Sequence, residues 1–287
     1  SLGRAYHRDG DIYRALESYQ IVGDLEGYSE VFWEVRDEWI ARNLTMTLVL
    51  LVGGVIAYKQ VKKHKEKLPA YKQTKEFVNK QQTTKWYHEV SLIKRMLYQP
   101  LDVIYEIKYR QSVRIRTALI MYFVFTVLMI AGNFYVQGYL FKGNTDDIIL
   151  AFEIMKWLLP LLLLGVANHL MNSLQSGEAF YRDLFIGFIY ATAPILIFKL
   201  PIDIVSNVLT YNEAFLFQLA NIIIYGWTLV NLVLMIKELN NYKPGQLIVN
   251  IALTLFTMLI LVILYLVVNV LTSQLFTFIR RMIQEVF

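Results

Sequence analysis

Six apolar runs, separated by short polar stretches, constrain this chain more than anything else in it. Asn43–Tyr58 holds 16 uncharged residues, Thr117–Phe141 25, Trp157–Gly177 21, Leu184–Phe198 15, Ala214–Ile236 23 and Pro244–Ile279 36. A helix needs about 20 mostly apolar residues to cross the hydrocarbon core of a bilayer. Six crossings are therefore expected, the short fourth run being the weakest. With 56% hydrophobic and 18% charged residues, the chain falls outside the range of soluble domains. In lipid every backbone polar group must be satisfied internally, which predicts an all-α, polytopic helical membrane protein.

Charge gives the direction of insertion. Lys59–Arg116 carries 15 of the 28 Lys and Arg residues. By the positive-inside rule residues 59–116 are expected to be cytoplasmic. Both termini are then extracytoplasmic, in a multi-pass protein of the plasma (cytoplasmic) membrane. This placement puts 18 basic residues inside and nine outside. The same rule accounts for the basic balance without nucleic acid, which is not expected as a partner. The Lys59–Lys67 run is expected to lie at an anionic inner leaflet, each cation gaining about 1 kcal/mol near the surface.

The four histidines, His7, His64, His88 and His169, are scattered, and there is no cysteine. Thiolate metal sites and disulfides are excluded, and a metal centre is not expected. The spans contain no Gly-x-Ser-x-Gly, His-Glu-x-x-His or paired-Asp motif, and no Gly-rich phosphate loop occurs. No enzyme and no cofactor are expected. Asn168, His169 and Asn172 near one end of the third run, together with Asn221, form a candidate intramembrane polar site, with interhelical hydrogen bonding as the ordinary reading. Glu153 and Lys156 are spaced to pair at the other end of that run. Lys199, Asp203 and Glu213 are expected in an outer loop whose Ile202–Leu209 part is apolar enough to dip back into the bilayer. Pro194 should kink the fourth span.

Two amphipathic stretches are candidate contact surfaces. From Thr84 onward, Trp86, Val90, Ile93 and Leu97 form one apolar stripe, with Lys85, Glu89, Lys94 and Arg95 facing elsewhere. Ser273–Phe287 places Leu275, Phe278, Ile279 and Met282, with Val286, on one side, and is expected to lie on the outer membrane surface. Between the stripe and the second span, Pro100 suits the first turn of a short helix and Asp102 its positive end. Glu26–Arg42 is also amphipathic, through Tyr28, Val31, Phe32, Val35 and Trp39, and should run straight into the first span.

The opening residues LGRAYHRDGDIYRALESYQ place Leu2-Gly3, Tyr6, Gly10, Ala15 and Tyr19 at intervals that resemble the tetratricopeptide repeat. One repeat cannot bury its own apolar face, so upstream sequence is expected to complete an outward-facing array. Further along, QPLDVIYEIKYRQSVRIRTAL (Gln99–Leu119), Tyr135–Phe141, Trp157, Pro160, SGEAFYRDLFIGFIYATAPILI (Ser176–Ile197) and LPIDIVSNVLTYNE (Leu200–Glu213) resemble, in order and spacing, the five-span membrane domain of the Yip family, the Rab-interacting membrane proteins and their bacterial relatives. The likeness covers about two thirds of the chain and is closest to the bacterial branch. It implies four regions: a tetratricopeptide-like extracytoplasmic tail (1–38), an anchor span (39–59), a basic cytoplasmic linker with an amphipathic helix (60–98), and a five-span Yip-like domain with an amphipathic C-terminal helix (99–287). The expected function is that of a non-catalytic accessory or assembly subunit. It would link an extracytoplasmic repeat domain to other integral membrane proteins, including the permease subunits of a carbohydrate ABC transporter. The rival expectation is a channel or transporter subunit, with Asn168, His169 and Asn221 lining one solute track.

Overall fold

The computed structural model describes residues 2–64, 85–143 and 149–286, and among them every regular element is helical. The linker expected at Pro69–Gln82, and part of the Lys59–Lys67 run, lie outside the described residues. Five helical segments are long and apolar enough to cross a membrane: Ile115–Val136, Leu150–Leu174, Tyr181–Val208, Tyr211–Asn240 and Pro244–Ile283. The pair Leu25–Met46 and Leu48–Gln60 makes a sixth when taken as one span. The protein is an all-α polytopic membrane protein.

The chain divides into two compact units. The first comprises Ser1–Ser91, Ile130–Asp147 and Ile197–Tyr225, and the second comprises Leu92–Met129, Ile148–Leu196 and Gly226–Phe287.

The first unit begins with α1 (Leu2–Arg8), α2 (Ile12–Val22) and α3 (Leu25–His64). The Asp11 carboxylate accepts from the Arg14 amide to start α2, and Asp24 accepts from the Gly27 amide to start α3. Ala15, Tyr19 and Val31 form the buried centre, with Tyr6, Ile12, Leu16 and Tyr28 packed around them. The Tyr19 ring lies against two glycines: a Cβ on Gly3 or Gly27 would come within 2.8 or 2.5 Å of its ring carbons. Small residues thus let the helices close on an aromatic ring. Helix assignment in α3 extends from the amphipathic segment into the apolar run, but with a bend of 41° between Leu25–Met46 and Leu48–Gln60 rather than a straight course.

The second unit contains α5 (Pro100–Lys108), most of α6 (Ile115–Ala131), α7 (Leu150–Leu174), α8 (Tyr181–Ala191) and α11 (Pro244–Val286). Within it, α7 packs on both α8 and α11, and α8 packs on α5. Helix α8 is buried continuously from Asp183 to Ala191. Gly187 lets Leu239 and Met235, of α10 (Ala214–Asn240), approach its backbone. Pro100 opens α5 and Asp102 sits in its first turn, as the sequence suggests.

Two expectations need correction. The fourth span is not a short run ending at Phe198. A break at Thr192 separates α8 from α9 (Ala193–Val205), Pro194 sits in the first turn of α9, and helix continues to Val208. Lys199 and Asp203 therefore belong to a helix, not to a loop. Nor is Ser273–Phe287 a separate helix lying on a surface: α11 runs unbroken through it. In α4 (Lys85–Met96) the fully buried residues are Glu89, Leu92 and Met96, whereas Trp86 of the apolar stripe is 51% exposed and Val90, Ile93 and Leu97 are half-buried. Hydropathy alone places Glu89 in water, yet its side chain is fully buried.

Candidate functional site

In the first unit, two polar constructions hold the segment 197–225, one to the N-terminal helices and one to the turn around 132–138. One is a clasp on the half-exposed rim. The Arg36 guanidinium donates through Nη1 and Nη2 to the two oxygens of Glu213, at 2.5 and 3.0 Å, and through Nη1 to the Val208 carbonyl at 2.9 Å. The paired geometry matches the planar fork of arginine to the carboxylate. Glu213 also accepts from the Thr210 amide at 2.9 Å, which fixes it in the 3-10 turn Tyr211–Glu213 that opens α10. Two turns earlier on α3, Ser29 Oγ accepts from the Tyr211 amide at 2.8 Å. The Tyr139 hydroxyl donates to the Gln20 carbonyl while its ring packs on Tyr28, 4.7 Å between centroids. Burial raises the Tyr139 hydroxyl above its ordinary pKa of 10.0, so it remains a donor at neutral pH. Beside the clasp lies an acidic cleft of about 370 Å³, lined by Glu26, Glu30, Trp33, Glu34 and Tyr211, with His7 bonded to Glu34 at 2.9 Å.

The second construction is fully buried. Lys199 and Asp203, one helical turn apart on α9, pair at 2.5 Å with side chains 2% and 0% exposed. The same Asp203 oxygen accepts from Gln137 Nε2 at 3.0 Å, and Gln137 also donates to Asn133 Oδ1 at 3.2 Å. Its other oxygen, Oδ2, has no hydrogen-bond partner and rests against Gly132, where any Cβ would collide with it. Gly132 begins a π-helical turn, Gly132–Val136, at the end of α6. A widened turn in an otherwise regular helix is a common accommodation for such a contact. The next residues, Ser206 and Asn207, tie down the chain beyond this turn: Ser206 Oγ accepts from the Gly138 amide at 2.9 Å and Asn207 donates to the Val136 carbonyl at 2.7 Å.

In the second unit, two of the expected polar residues, Asn168 and Asn172, meet partners that the sequence did not group with them. Asn168 Nδ2 donates to Asn250 Oδ1 at 2.7 Å, Asn250 Nδ2 to Asn172 Oδ1 at 3.1 Å, and Asn172 Nδ2 to Asn168 Oδ1 at 3.2 Å. The three amides close a ring between α7 and α11. Thr254 accepts a second bond from Asn168, Gln175 one from Asn250, and the Tyr242 hydroxyl donates to Asn172. Each ring amide uses both its donor and its acceptor, so the group is satisfied without a guest.

Of the four residues read from sequence as a polar site, Asn168 and Asn172 are brought together. His169 points to another side of α7, its ring 5.7 Å from that of Tyr181. Asn221 lies in the first unit and bonds to the Phe217 carbonyl of its own helix. The contact residues Leu275, Phe278, Ile279 and Met282 are all exposed on α11. Glu153 and Lys156 pair at 3.4 Å. Among the described residues no group of three His, Asp or Glu side chains is placed to hold a metal ion. The second unit also has two ion pairs, Arg95 with the buried Glu106 at 2.7 Å and Lys108 with the exposed Glu178 at 2.8 Å. The hydrogen bond and charge of Lys108 hold the Glu178 carboxyl below its ordinary value of 4.5.

No family model, no curated protein and no solved structure matches this chain.

Proposed function

We propose that this protein is a non-catalytic membrane subunit that carries a helical domain on its N-terminal tail and presents it to other integral membrane proteins. The observation that carries this reading is the Arg36–Glu213 clasp with its neighbours Ser29–Tyr211 and Tyr139–Gln20. A tail serving only as a leash needs no bidentate contact with a turn 177 residues away in sequence. A tail that must be held at a set position does need one. The resemblance of Gln99–Val286 to Yip-type domains, and of Leu2–Gln20 to a tetratricopeptide repeat, supports the same division of labour. It also suggests ABC-transporter permeases as the class of partner. In this reading both termini face away from the cytoplasm and the basic segment 59–116 faces into it.

The rival reading, a solute path through the spans, requires Asn168 and Asn221 to line one track. The closed amide ring around Asn168 and the local bond of Asn221 weigh against it. Extraction of the full chain from its native membrane in a mild detergent, followed by identification of what co-purifies, tests the proposal. Stoichiometric recovery of other multi-pass subunits is expected. Recovery of this chain with no other membrane protein, together with solute flux when it is reconstituted alone, would sink it.

A further inference from the structure

Helix α11 is 43 residues long, which is about 65 Å at 1.5 Å per residue. The hydrocarbon core is about 30 Å thick, so even a tilt of about 40° leaves room for only about 26 residues. The helix starts immediately after the polar turn Asn241–Lys243, which marks one membrane surface. The excess therefore lies at the C-terminal end, beyond roughly residue 270. The sequence changes at the same level. Along one line of the helix, at seven-residue steps, Leu259 and Leu266 give way to Ser273 and Arg280.

On the opposite side the apolar residues do not stop. Leu264, Val268, Leu271, Leu275, Phe278 and Met282 follow one another at alternating steps of four and three residues, and each is 50–59% exposed. That mean spacing of 3.5 residues keeps a stripe facing a partner helix as the two wind gently about each other. The last four of these residues stand beyond the hydrocarbon core, so lipid tails do not cover them. A second copy of the chain suits them best. Inserted in the same bilayer the same way round, it presents the identical stripe, parallel and at the same height, so the membrane itself sets the register. Six positions from each copy bury roughly 1,000 Å² together, the scale at which specific interfaces begin.

We propose that the C-terminal part of α11 pairs with the same segment of a second copy, forming a parallel two-helix seam through Leu271, Leu275, Phe278 and Met282. The inference rests on the reading of this protein as an assembly subunit and specifies one of its contacts.

Because the chain has no cysteine, single replacements report on the seam without background. Leu271→Cys, Leu275→Cys, Phe278→Cys and Met282→Cys are each oxidised in native membranes, beside Ser273→Cys, Thr277→Cys and Arg280→Cys. Disulfide-linked homodimers are expected at the first four positions and roughly tenfold less at the other three, because a disulfide needs Cβ atoms about 4 Å apart. All seven positions are exposed, so the replacements leave the packed parts of the fold untouched. The size of each variant in mild detergent, checked against the parent, confirms that it is intact. Equal cross-linking at all seven positions, no homodimer at any, or adducts with a different protein at the seam positions would each overturn the proposal. Co-purifying subunits with no self-adduct would remove the seam and leave the assembly reading standing. Self-adducts with no other subunit would do the reverse.

Discussion

Breaking the Arg36–Glu213 clasp should loosen the tail by an amount the geometry sets. The two side chains are 16% and 30% exposed, so the pair lies between two regimes. Exposed ion pairs contribute about 0.2–1 kcal/mol, whereas removing one partner of a buried pair costs about 3–5 kcal/mol. Two parallel N–H···O bonds place this pair above the exposed class, and contact with water keeps it below the buried one. A coupling of about 2 kcal/mol is expected, which corresponds to about a 30-fold change in the docking equilibrium. A double-mutant cycle with Arg36→Met and Glu213→Gln isolates that term, since the Thr210 amide and the Val208 carbonyl are common to all four proteins. Protease susceptibility of residues 2–24 in lipid nanodiscs, measured as the population of the undocked tail, is the assay. Each single variant should raise it, and the double variant should raise it no further. Additive effects, with a coupling below about 0.5 kcal/mol, would refute the claim that these two side chains hold the tail together.

Other outcomes follow from the same contacts. Lys199→Met, which strands Asp203 in a dry site, should cost about 3–5 kcal/mol by chemical denaturation in detergent, while the double variant Lys199→Met/Asp203→Leu should recover most of that loss. Asn250→Leu opens the amide ring and leaves Asn168 and Asn172 short of partners. A loss of about 1–3 kcal/mol in unfolding free energy is expected, and an unchanged stability would mean that the ring is not the contact that joins α7 to α11. Glu178 has its pKa depressed by Lys108, so its stabilising effect is present above the unfolded value and disappears as pH falls through the folded one. The melting-temperature difference between the parent and Glu178→Gln should therefore be present at pH 7 and vanish below the ordinary carboxylate range.

Much of the fold is legible in the sequence because lipid leaves few options: long uncharged runs become helices, and five apolar segments stand close to where the runs are. What counting missed are places where charge is neutralised locally. Lys199 and Asp203 ended the fourth run when read singly, yet four residues apart they pair with each other and travel with the helix. Gly132, opposite them, gave no signal beyond being small, because a glycine's purpose depends on what approaches it. Glu89 is fully buried at 0% exposure and is not without a partner, a placement that its hydropathy does not reveal. Asn168 and Asn172 share a face at four-residue spacing and were read together. Asn250, 78 residues beyond Asn172, could be joined to them only by the packing of α11 on α7. The unbroken course of α11 past Ser273 was hidden because its amphipathic end resembles a separate surface helix.

The carrier role depends on the tail being held in place. The cysteine-free background allows spin labels at Tyr13, which is 82% exposed on α2, and at Asn212 in the turn that the clasp grips. Their separation in nanodiscs, read by pulsed electron resonance, should be a single narrow distribution that broadens when Arg36→Met is added. A broad distribution in the parent protein, unchanged by that substitution, would contradict a docked tail and with it the carrier role built upon it.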